Sequence, residues 1–285
     1  MNPRDTNLGY FNRRSAEAYP DKTALIDLSR KPDRLITHGE LNQRMDLVAA
    51  TLNALGMAAG DRLLLAMSNR FEFIEIFFGS MRAGIIPIPL NIKLGAETIE
   101  FIIKDSGCRG AVIEPGCHPQ LVDVVESHNL DTNIAVESVP TGWLNYNEAL
   151  SKAEQKPFSP NPIQSEQIAF LPYTSGSTGR PKGVLLTHEG MLWGIRTAQQ
   201  YWPCKPTERT LVAGPLFHKN AMRVSIKPKL YAGASAVILP RFEPRVMLQA
   251  LADYECTDTG GVPAMYRMML AEEELLEELK FPRLE

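Results

Sequence analysis

The sequence has few cysteines and no cysteine cluster. Its four cysteines, Cys108, Cys117, Cys204 and Cys256, are scattered through 285 residues without a Cys-x-x-Cys pair. This spacing argues against a structural zinc site and against a disulfide framework. A reducing compartment suits such a chain, so we expect a cytoplasmic protein.

Long apolar runs and an excess of one charge sign are also lacking. No run approaches the roughly 18 residues of a membrane-spanning helix, and Met1-Asn-Pro-Arg-Asp-Thr6 has no apolar signal-peptide core. The formal net charge is −3, which offers no electrostatic basis for binding nucleic acid or an anionic membrane. We therefore expect neither partner. Nothing in the sequence indicates an oligomeric state.

Segments with helical and strand periods alternate along the first half of the chain. Thr37-His-Gly-Glu40 has the form of a capping box before the first of these helices. The segments are helices over 41–55, 72–83 and 96–104 and strands over 62–67, 85–89 and 111–113. Strands separated by single helices need crossover connections, so the pattern predicts a mainly parallel sheet.

Residues 151–165 interrupt this pattern with three prolines and several polar side chains, which indicates a linker or a surface crossing. A second alternation follows, with strands over 167–171, 184–187, 210–213, 234–239 and 257–260. We predict an α/β fold of two packed, mainly parallel sheet-and-helix units. The first subdomain would span residues 1–165 and the second residues 166–285.

One segment, from Thr174 to Gly183, concentrates hydroxyl groups and glycines around a lysine. It contains Thr174, Ser175, Gly176, Ser177, Thr178, Gly179, Lys182 and Gly183. Glycines let backbone N–H groups approach an anion closely, while hydroxyls and a lysine add donors and charge. The composition favours a phosphate-binding loop for a nucleotide, with a flexible surface turn as the open alternative.

The segment does not match the P-loop pattern. Its lysine follows Pro181 rather than a glycine, and Gly183 stands where a P-loop has Ser or Thr. Apolar runs on both sides, Gln167–Leu171 and Val184–Leu186, are typical of strands. We therefore expect a loop between two strands, without a helix dipole at the phosphate.

Tyr173-Thr-Ser-Gly-Ser-Thr-Gly-Arg-Pro-Lys-Gly-Val184 resembles the signature loop of the adenylate-forming superfamily, which includes acyl-CoA synthetases, peptide-synthetase adenylation domains and beetle luciferases. Pro215-Leu-Phe-His218 and Gly261-Val-Pro-Ala-Met-Tyr266 resemble two further motifs beside the acyl pocket of that family. Gly84–Asn91 and Asp105-Ser-Gly107 also have family counterparts. The resemblance runs from about Asp21 to the last residue.

The resemblance implies an incomplete N-terminal domain of an adenylate-forming enzyme. It implies ATP-dependent ligation of a small carboxylic acid to coenzyme A, through an acyl-adenylate, with ATP, Mg²⁺ and coenzyme A required. The implied nucleotide-binding residues are Thr174, Ser175, Gly176, Ser177, Thr178, Gly179 and Lys182. The implied acyl pocket contains Phe217, His218, Ala221, Val262 and Pro263. Thr178 is a candidate metal ligand.

Lys182 and His218 are the residues predicted to act in catalysis. A carboxylate is already ionised near neutral pH, so His218 is expected to shape the route to it rather than to act as a base. The other histidines, His38, His118, His128 and His188, are interpreted as ordinary loop residues. Ala221, Met222 and the Val262 segment suggest an aliphatic or aromatic acid, without choosing between them.

Family members are about twice as long, and their later motifs do not occur before Glu285. We therefore expect an N-terminal fragment with little activity alone. Two alternatives stay open, a non-catalytic nucleotide-binding fragment and an adenylation enzyme that loads a carrier-protein thiol. The sequence gives no choice of acid.

Overall fold

The computed structural model describes residues 3–153, 158–160, 162–174 and 179–285. The α-helices among them are α1 (Pro3–Thr6), α2 (Arg13–Ala18), α3 (His38–Ala54), α4 (Phe71–Arg82), α5 (Ala96–Ser106), α6 (Leu121–Glu126), α7 (Tyr146–Ala153), α8 (His188–Tyr201), α9 (Lys227–Ala232), α10 (Pro244–Asp253), α11 (Pro263–Leu270) and α12 (Glu273–Glu278). Short 3₁₀ turns occupy Leu8–Tyr10 and Pro115–Cys117, and a π-helix occupies Ala221–Ile226.

The strands are β1 (Thr23–Asp27), β2 (Arg34–Thr37), β3 (Arg62–Ala66), β4 (Ile86–Pro89), β5 (Gly110–Ile113), β6 (Thr132–Ala135), β7 (Leu144–Asn145), β8 (Ile168–Phe170), β9 (Tyr173–Thr174), β10 (Lys182–Gly183), β11 (Leu186–Thr187), β12 (Arg209–Val212), β13 (Ser235–Ile238) and β14 (Asp258–Gly260). In the described residues no helix has the length and apolar character that crossing a bilayer requires.

The chain forms two compact units, and each draws on several stretches of sequence. The first contains residues 1–11, 43–68 and 72–193, and the second contains 12–42, 69–71 and 194–285. Residue 165 lies inside the first unit. The division into subdomains at residues 165 and 166 stays a prediction.

The first unit is built on a parallel sheet with the strand order β4-β3-β5-β6-β7. All neighbouring pairs in it are parallel. Buried apolar side chains of the sheet and of α5 and α6 form its core, among them Leu64, Ile88, Ile99, Ile102 and Val125. The α/β class and the mainly parallel sheets are therefore confirmed.

Local signals in the sequence account for the start and end of α3. The Thr37 N–H donates to Glu40 Oε2 at 2.8 Å, and the Glu40 N–H donates to Thr37 Oγ1 at 3.1 Å. This reciprocal pair confirms the predicted capping box. Gly56 has a φ of +86°, a conformation that side chains with a Cβ disfavour, and it lies just past the helix end.

The second unit contains a sheet with the order β14-β12-β13-β1-β2. The first four strands are parallel, and β2 joins β1 as an antiparallel edge. Leu25 in β1 pairs with Ala236 in β13, so the N-terminal strands complete a sheet made mostly of C-terminal residues. β1 and β2 are not among the strands predicted from the sequence.

Candidate functional site

The hydroxyl- and glycine-rich segment begins and ends in a pair of short strands. β9 and β10 are antiparallel, with Thr174 opposite Lys182 and Tyr173 opposite Gly183. A loop between two strands, as predicted from the flanking apolar runs, is therefore confirmed. Four predicted nucleotide-binding residues, Ser175, Gly176, Ser177 and Thr178, lie outside the described residues.

One backbone hydrogen bond joins the segment before β9 to the edge of the first unit's main sheet, and a second extends the β9–β10 pair. The Leu171 N–H donates to the Pro87 carbonyl at 3.1 Å, and the Val184 N–H donates to the Pro172 carbonyl at 2.9 Å. Pro87 belongs to edge strand β4, and proline is tolerated at a sheet edge because its missing N–H is not needed there. The ends of the loop are therefore held by the sheet.

Helix α5 holds the base of the loop from the side. The Tyr173 hydroxyl donates to Asp105 Oδ2 at 2.7 Å, and Asp105 lies in the last turn of α5. Burial, and then the Asp105 carboxylate, raise the pKa of Tyr173 above its usual value, so the phenol keeps the proton that it donates. Asp105 belongs to the Asp105-Ser-Gly107 stretch that resembles the family, but no role for it could be predicted from the sequence.

Two glycines at the end of the loop are required for different reasons. A Cβ at Gly183 would lie 3.0 Å from Leu171 Cδ1 and 3.3 Å from Tyr173 Cζ, so only glycine lets the Tyr173 ring pack here without adjustment. Gly179 has open space around its Cα but a φ of +86°. That left-handed conformation favours glycine whatever the surroundings.

The three described polar residues of the loop, Thr174, Arg180 and Lys182, are exposed to solvent. Thr174 Oγ1 lies 3.5 Å from the Lys182 carbonyl oxygen. Next to them, the Arg180 guanidinium lies 5.8 Å from the centre of the Phe101 ring on α5. Because they are exposed and lie at the end of the β9–β10 pair, these residues are accessible to an anionic ligand from solution.

The second predicted motif, Pro215–His218, lies in the second unit after β12. Leu216 is buried, Phe217 is half-buried and His218 is exposed. The His218 N–H donates to the Pro215 carbonyl at 3.0 Å, which closes a turn, and the Asn220 N–H donates to His218 Nδ1 at 3.3 Å. His218 is thus at the carboxyl end of a parallel strand, where ligands of open α/β sheets bind.

The segment between β12 and β13 does not form one regular α-helix. A π-helix over Ala221–Ile226 comes first, and α9 begins only at Lys227. Such wider turns occur often at functional sites. Ala221 is buried on this turn, and a Cβ at Gly260 in β14 would lie 3.2 Å from Ser225 Oγ, so the π-helix packs closely on the end of β14.

The third motif begins α11. Val262 is the N-cap residue and is 55% exposed, and Pro263 is the first helical residue and is exposed too. Proline suits this position because the first helical N–H has no helical partner. Phe217, His218, Ala221, Val262 and Pro263 all belong to the second unit, whereas the strands around the loop belong to the first. The acyl-pocket assignment of these five stays a prediction.

Two histidines interpreted as loop residues are buried instead. His188 is 1% exposed and begins α8, where its Nδ1 accepts from the Leu8 N–H at 2.9 Å. His38 is fully buried at the start of α3, with Nε2 3.2 Å from the Ala234 carbonyl oxygen. Burial lowers the pKa of each to about 4, and Lys22 contributes to the lowering at His38. Both are structural residues that stay neutral.

No group of three metal-binding His, Cys, Asp or Glu side chains occurs in the part of the chain that the structure describes. Mg²⁺ in nucleotide sites is held largely by phosphate oxygens and water, with only one or two protein ligands. Thr178, the predicted metal ligand, lies outside the described residues. Its role stays a prediction.

The chain is similar to proteins of one known family. A family model described as AMP-binding enzyme matches residues 12–284. Feruloyl-CoA synthase from Amycolatopsis sp is 32% identical over 269 residues, which are 94% of this chain and 51% of that protein. Long-chain-fatty-acid–CoA ligase FadD13 from Mycobacterium tuberculosis is 26% identical over 277 residues, 95% and 52% of the two chains.

A solved structure, Mycobacterium tuberculosis fatty acyl CoA synthetase, superposes with a TM-score of 0.85 at 25% identity, covering 99% of this chain and 54% of that one. The chain thus spans about half the length of the relatives that it matches. With the family model covering nearly all of it, and with the signature loop between its two strands, the chain belongs to the AMP-binding enzyme family of adenylate-forming enzymes.

Proposed function

We propose that the full-length protein is an ATP-dependent carboxylate–CoA ligase. The observation that supports this most is the loop from Tyr173 to Gly183, which has the family's phosphate-loop sequence and whose ends are held by β9, β10 and α5. Relatives named as CoA ligases for aromatic and fatty acids support the same activity. Because the chain spans about half of those relatives, the proposal concerns the full-length protein.

The proposed reaction has two steps. In the first, a carboxylate oxygen of the acid attacks the α-phosphorus of ATP, and the bond from that phosphorus to the pyrophosphate oxygen breaks. In the second, the sulfur of coenzyme A attacks the acyl carbon, and AMP leaves as the thioester forms. The first step brings two anions together, so catalysis depends on charge stabilisation and positioning.

The phosphate-binding loop would supply both the charge stabilisation and the positioning. Thr174, the hydroxyls of Ser175, Ser177 and Thr178, and the backbone around Gly176 and Gly179 would hold the β- and γ-phosphates. A Lys182 ammonium about 4 Å from a phosphate oxygen would interact with it by about 4 kcal/mol at an effective dielectric near 20. This charge would stabilise the leaving pyrophosphate. Mg²⁺, bound mainly through the phosphates, would add to the neutralisation.

Phe217, His218, Ala221, Val262 and Pro263 would form the acyl side of the site. Phe217 is half-buried and Ala221 is buried, so they offer apolar surface, while the exposed imidazole of His218 would guide the carboxylate. A histidine base is not needed, because the acid is already ionised near neutral pH. An apolar lining favours an aliphatic or aromatic acid.

The proposal is tested by measuring whether the full-length protein catalyses thioester formation. The protein would be incubated with ATP, Mg²⁺ and coenzyme A, and separately with hydroxycinnamic, hydroxybenzoic and long-chain fatty acids. Acyl-CoA and AMP would be measured together by mass spectrometry. Equal amounts of both with one acid class support a CoA ligase and name the class. AMP and acyl-adenylate without acyl-CoA would instead favour a carrier-protein thiol as acceptor.

Two further outcomes separate the remaining alternatives. Tight ATP binding without any acid-dependent product would favour a non-catalytic nucleotide-binding protein. That the 285-residue chain alone has little activity stays a prediction. The same assay on this chain tests it, and robust turnover would show that it is wrong.

A further inference from the structure

One buried amide in the second unit contacts the loop that leads to His218. Asn69 is 5% exposed and lies in the three-residue stretch 69–71 that belongs to this unit, between β3 and α4 in the chain. We propose that Asn69 is a positioning residue, which fixes the Leu216–His218 loop for the incoming carboxylate. This proposal rests on the proposed ligase function.

The Asn69 side chain makes three hydrogen bonds, all of them to backbone groups. Its Oδ1 accepts from the Leu216 N–H at 2.7 Å. Its Nδ2 donates to the Gly214 carbonyl at 2.9 Å and to the Leu239 carbonyl at 3.1 Å. Only a side-chain amide accepts and donates in this way at once, so a carboxylate or an apolar side chain cannot reproduce the set.

These bonds join the carboxyl ends of two neighbouring strands. β12 and β13 are parallel, with Val212 opposite Ile238, and the Asn69 partners Gly214 and Leu239 lie just beyond those two residues. Side chains that follow strands at this edge are the ones that meet ligands in open α/β sheets. Asn69 therefore acts on the edge from which the proposed carboxylate site extends.

The anchored residue directly precedes the two proposed acyl-site residues. The Leu216 side chain is buried, with 1% exposed, and its N–H is hydrogen-bonded to Asn69. Of the next two residues, Phe217 is half-buried and His218 is exposed. A turn closed by the His218 N–H and the Pro215 carbonyl, 3.0 Å apart, links the three. Loss of the Asn69 bonds would free the Leu216 backbone, and the acid would then have to order this loop on binding, at an entropic cost.

The stretch that carries Asn69 is itself held in place. The Phe71 N–H donates to Asp27 Oδ2 at 3.0 Å, and the Ser29 N–H donates to Asp27 Oδ1 at 2.8 Å. Asp27 ends β1, the strand that neighbours β13. The amide is therefore positioned before any ligand arrives, which is the requirement for a positioning residue.

The test compares Asn69→Asp with a matched control in the full-length protein. Aspartate keeps the size and the acceptor but loses both donors, and its charge faces two carbonyl oxygens. Asn7→Asp is the control, because Asn7 is also buried, accepts from the Gly9 N–H at 2.8 Å and donates to the Met81 carbonyl at 2.8 Å. Asn7 belongs to the first unit, whereas the Pro215–His218 turn belongs to the second.

Steady-state ATP–pyrophosphate exchange gives the first readout. We expect Asn69→Asp to raise the KM for the acid about 10-fold, and kcat and the KM for ATP to change less than about 2-fold, as loss of loop order predicts. Asn7→Asp should leave all three within about 2-fold of wild type. The positioning role would be overturned if Asn69→Asp changed the KM for the acid and the KM for ATP equally. It would also be overturned if Asn69→Asp and Asn7→Asp changed the KM for the acid equally.

Hydrogen exchange gives a second readout that needs no substrate. Backbone amides of Gly214 and of residues 216–218 should exchange faster in Asn69→Asp than in wild type, and remain unchanged in Asn7→Asp. If Asn69→Asp does not fold, Asn69→Ser, which keeps a small polar side chain, replaces it in both experiments. Unchanged exchange at these amides overturns the role of Asn69, whereas absence of acid-dependent activity in the wild type overturns the proposed function.

Discussion

The Tyr173 hydroxyl and the Asp105 carboxylate lie 2.7 Å apart, and this hydrogen bond joins the first residue of β9 to the last turn of α5. Tyr173 stands opposite Gly183, whose missing side chain leaves room for its ring. Tyr173, Asp105 and Gly183 thus lie together at the base of the proposed phosphate loop. The geometry of the loop should therefore depend on residues that never touch a phosphate.

Removing the Tyr173 hydroxyl tests this dependence. Tyr173→Phe keeps the ring but loses the hydrogen bond, and we expect the KM for ATP to rise about 2- to 10-fold, the range set by one hydrogen bond. Asp105→Asn combined with Tyr173→Phe should add little further, because both disrupt one contact. Kinetics of ATP–pyrophosphate exchange measures each value.

A second tyrosine–aspartate pair provides the control for that experiment. The Tyr254 hydroxyl donates to Asp33 in the second unit, so Tyr254→Phe removes the same type of contact elsewhere. Its KM for ATP should match the wild type. A rise in the Tyr254 variant equal to that in the Tyr173 variant would mean that the effect comes from stability alone.

Adding one methyl group at Gly183 tests the packing of the same base. A Cβ there would lie 3.0 Å from Leu171 Cδ1 and 3.3 Å from Tyr173 Cζ. Gly183→Ala should therefore displace the Tyr173 ring, lower the free energy of unfolding by about 1 kcal/mol and weaken ATP binding. Urea unfolding and calorimetric titration with ATP measure the two effects.

Gly116→Ala is the matched control, since no heavy atom outside its own turn lies within 4 Å of a Cβ built at that position. It should change neither the unfolding free energy nor ATP binding. If Gly183→Ala has the same unfolding free energy and ATP affinity as Gly116→Ala, the close packing between Gly183 and Tyr173 contributes to neither stability nor ATP binding.

Buried His188 predicts a loss of stability in acid. Burial lowers its pKa from 6.5 to about 4, so between these values the unfolded chain binds a proton that the folded chain does not. The contribution to stability is full above pH 6.5, falls as pH drops towards 4, and amounts to about 3 kcal/mol over that range. His38 should behave in the same direction, because its pKa is lowered in the same way.

Urea unfolding at pH 7.5 and pH 4.5 measures this effect in the wild type and in His188→Gln. The variant should be less stable at pH 7.5, because the Leu8 N–H loses its acceptor, but should lose about 2–3 kcal/mol less than the wild type on acidification. An equal loss of unfolding free energy on acidification in both proteins would contradict the assignment of this loss to protonation of His188. Carboxylates affect both proteins equally and cancel in the comparison.

Features with a local cause could be predicted from the sequence. The Thr37–Glu40 capping box needs only residues three apart, and both of its hydrogen bonds are present. The placement of the phosphate loop between two strands followed from the apolar runs on either side and from Pro181, which lacks an N–H. The β9–β10 pair confirms it.

Features that depend on distant pairing could not be predicted. Leu25 pairs with Ala236, and no period within residues 23–37 shows which sheet these strands join. Asn69 gave no signal, because a single amide after a buried strand resembles any turn residue, and its three partners follow it by more than a hundred residues. Burial of His188 likewise depends on its contact with Leu8.

The measurement that tests the central claim most directly is carboxylate-dependent ATP–pyrophosphate exchange by the full-length protein and by its Lys182→Ala variant. Lys104→Ala is the control, since Lys104 is an exposed lysine on α5 beside Glu100, 3.7 Å away. If the loop holds the β- and γ-phosphates, the Lys182 variant should exchange about 10- to 1,000-fold more slowly, equivalent to roughly 1.4–4 kcal/mol, while the Lys104 variant keeps the wild-type rate. An unchanged rate in Lys182→Ala would contradict the assignment of this loop as the phosphate site.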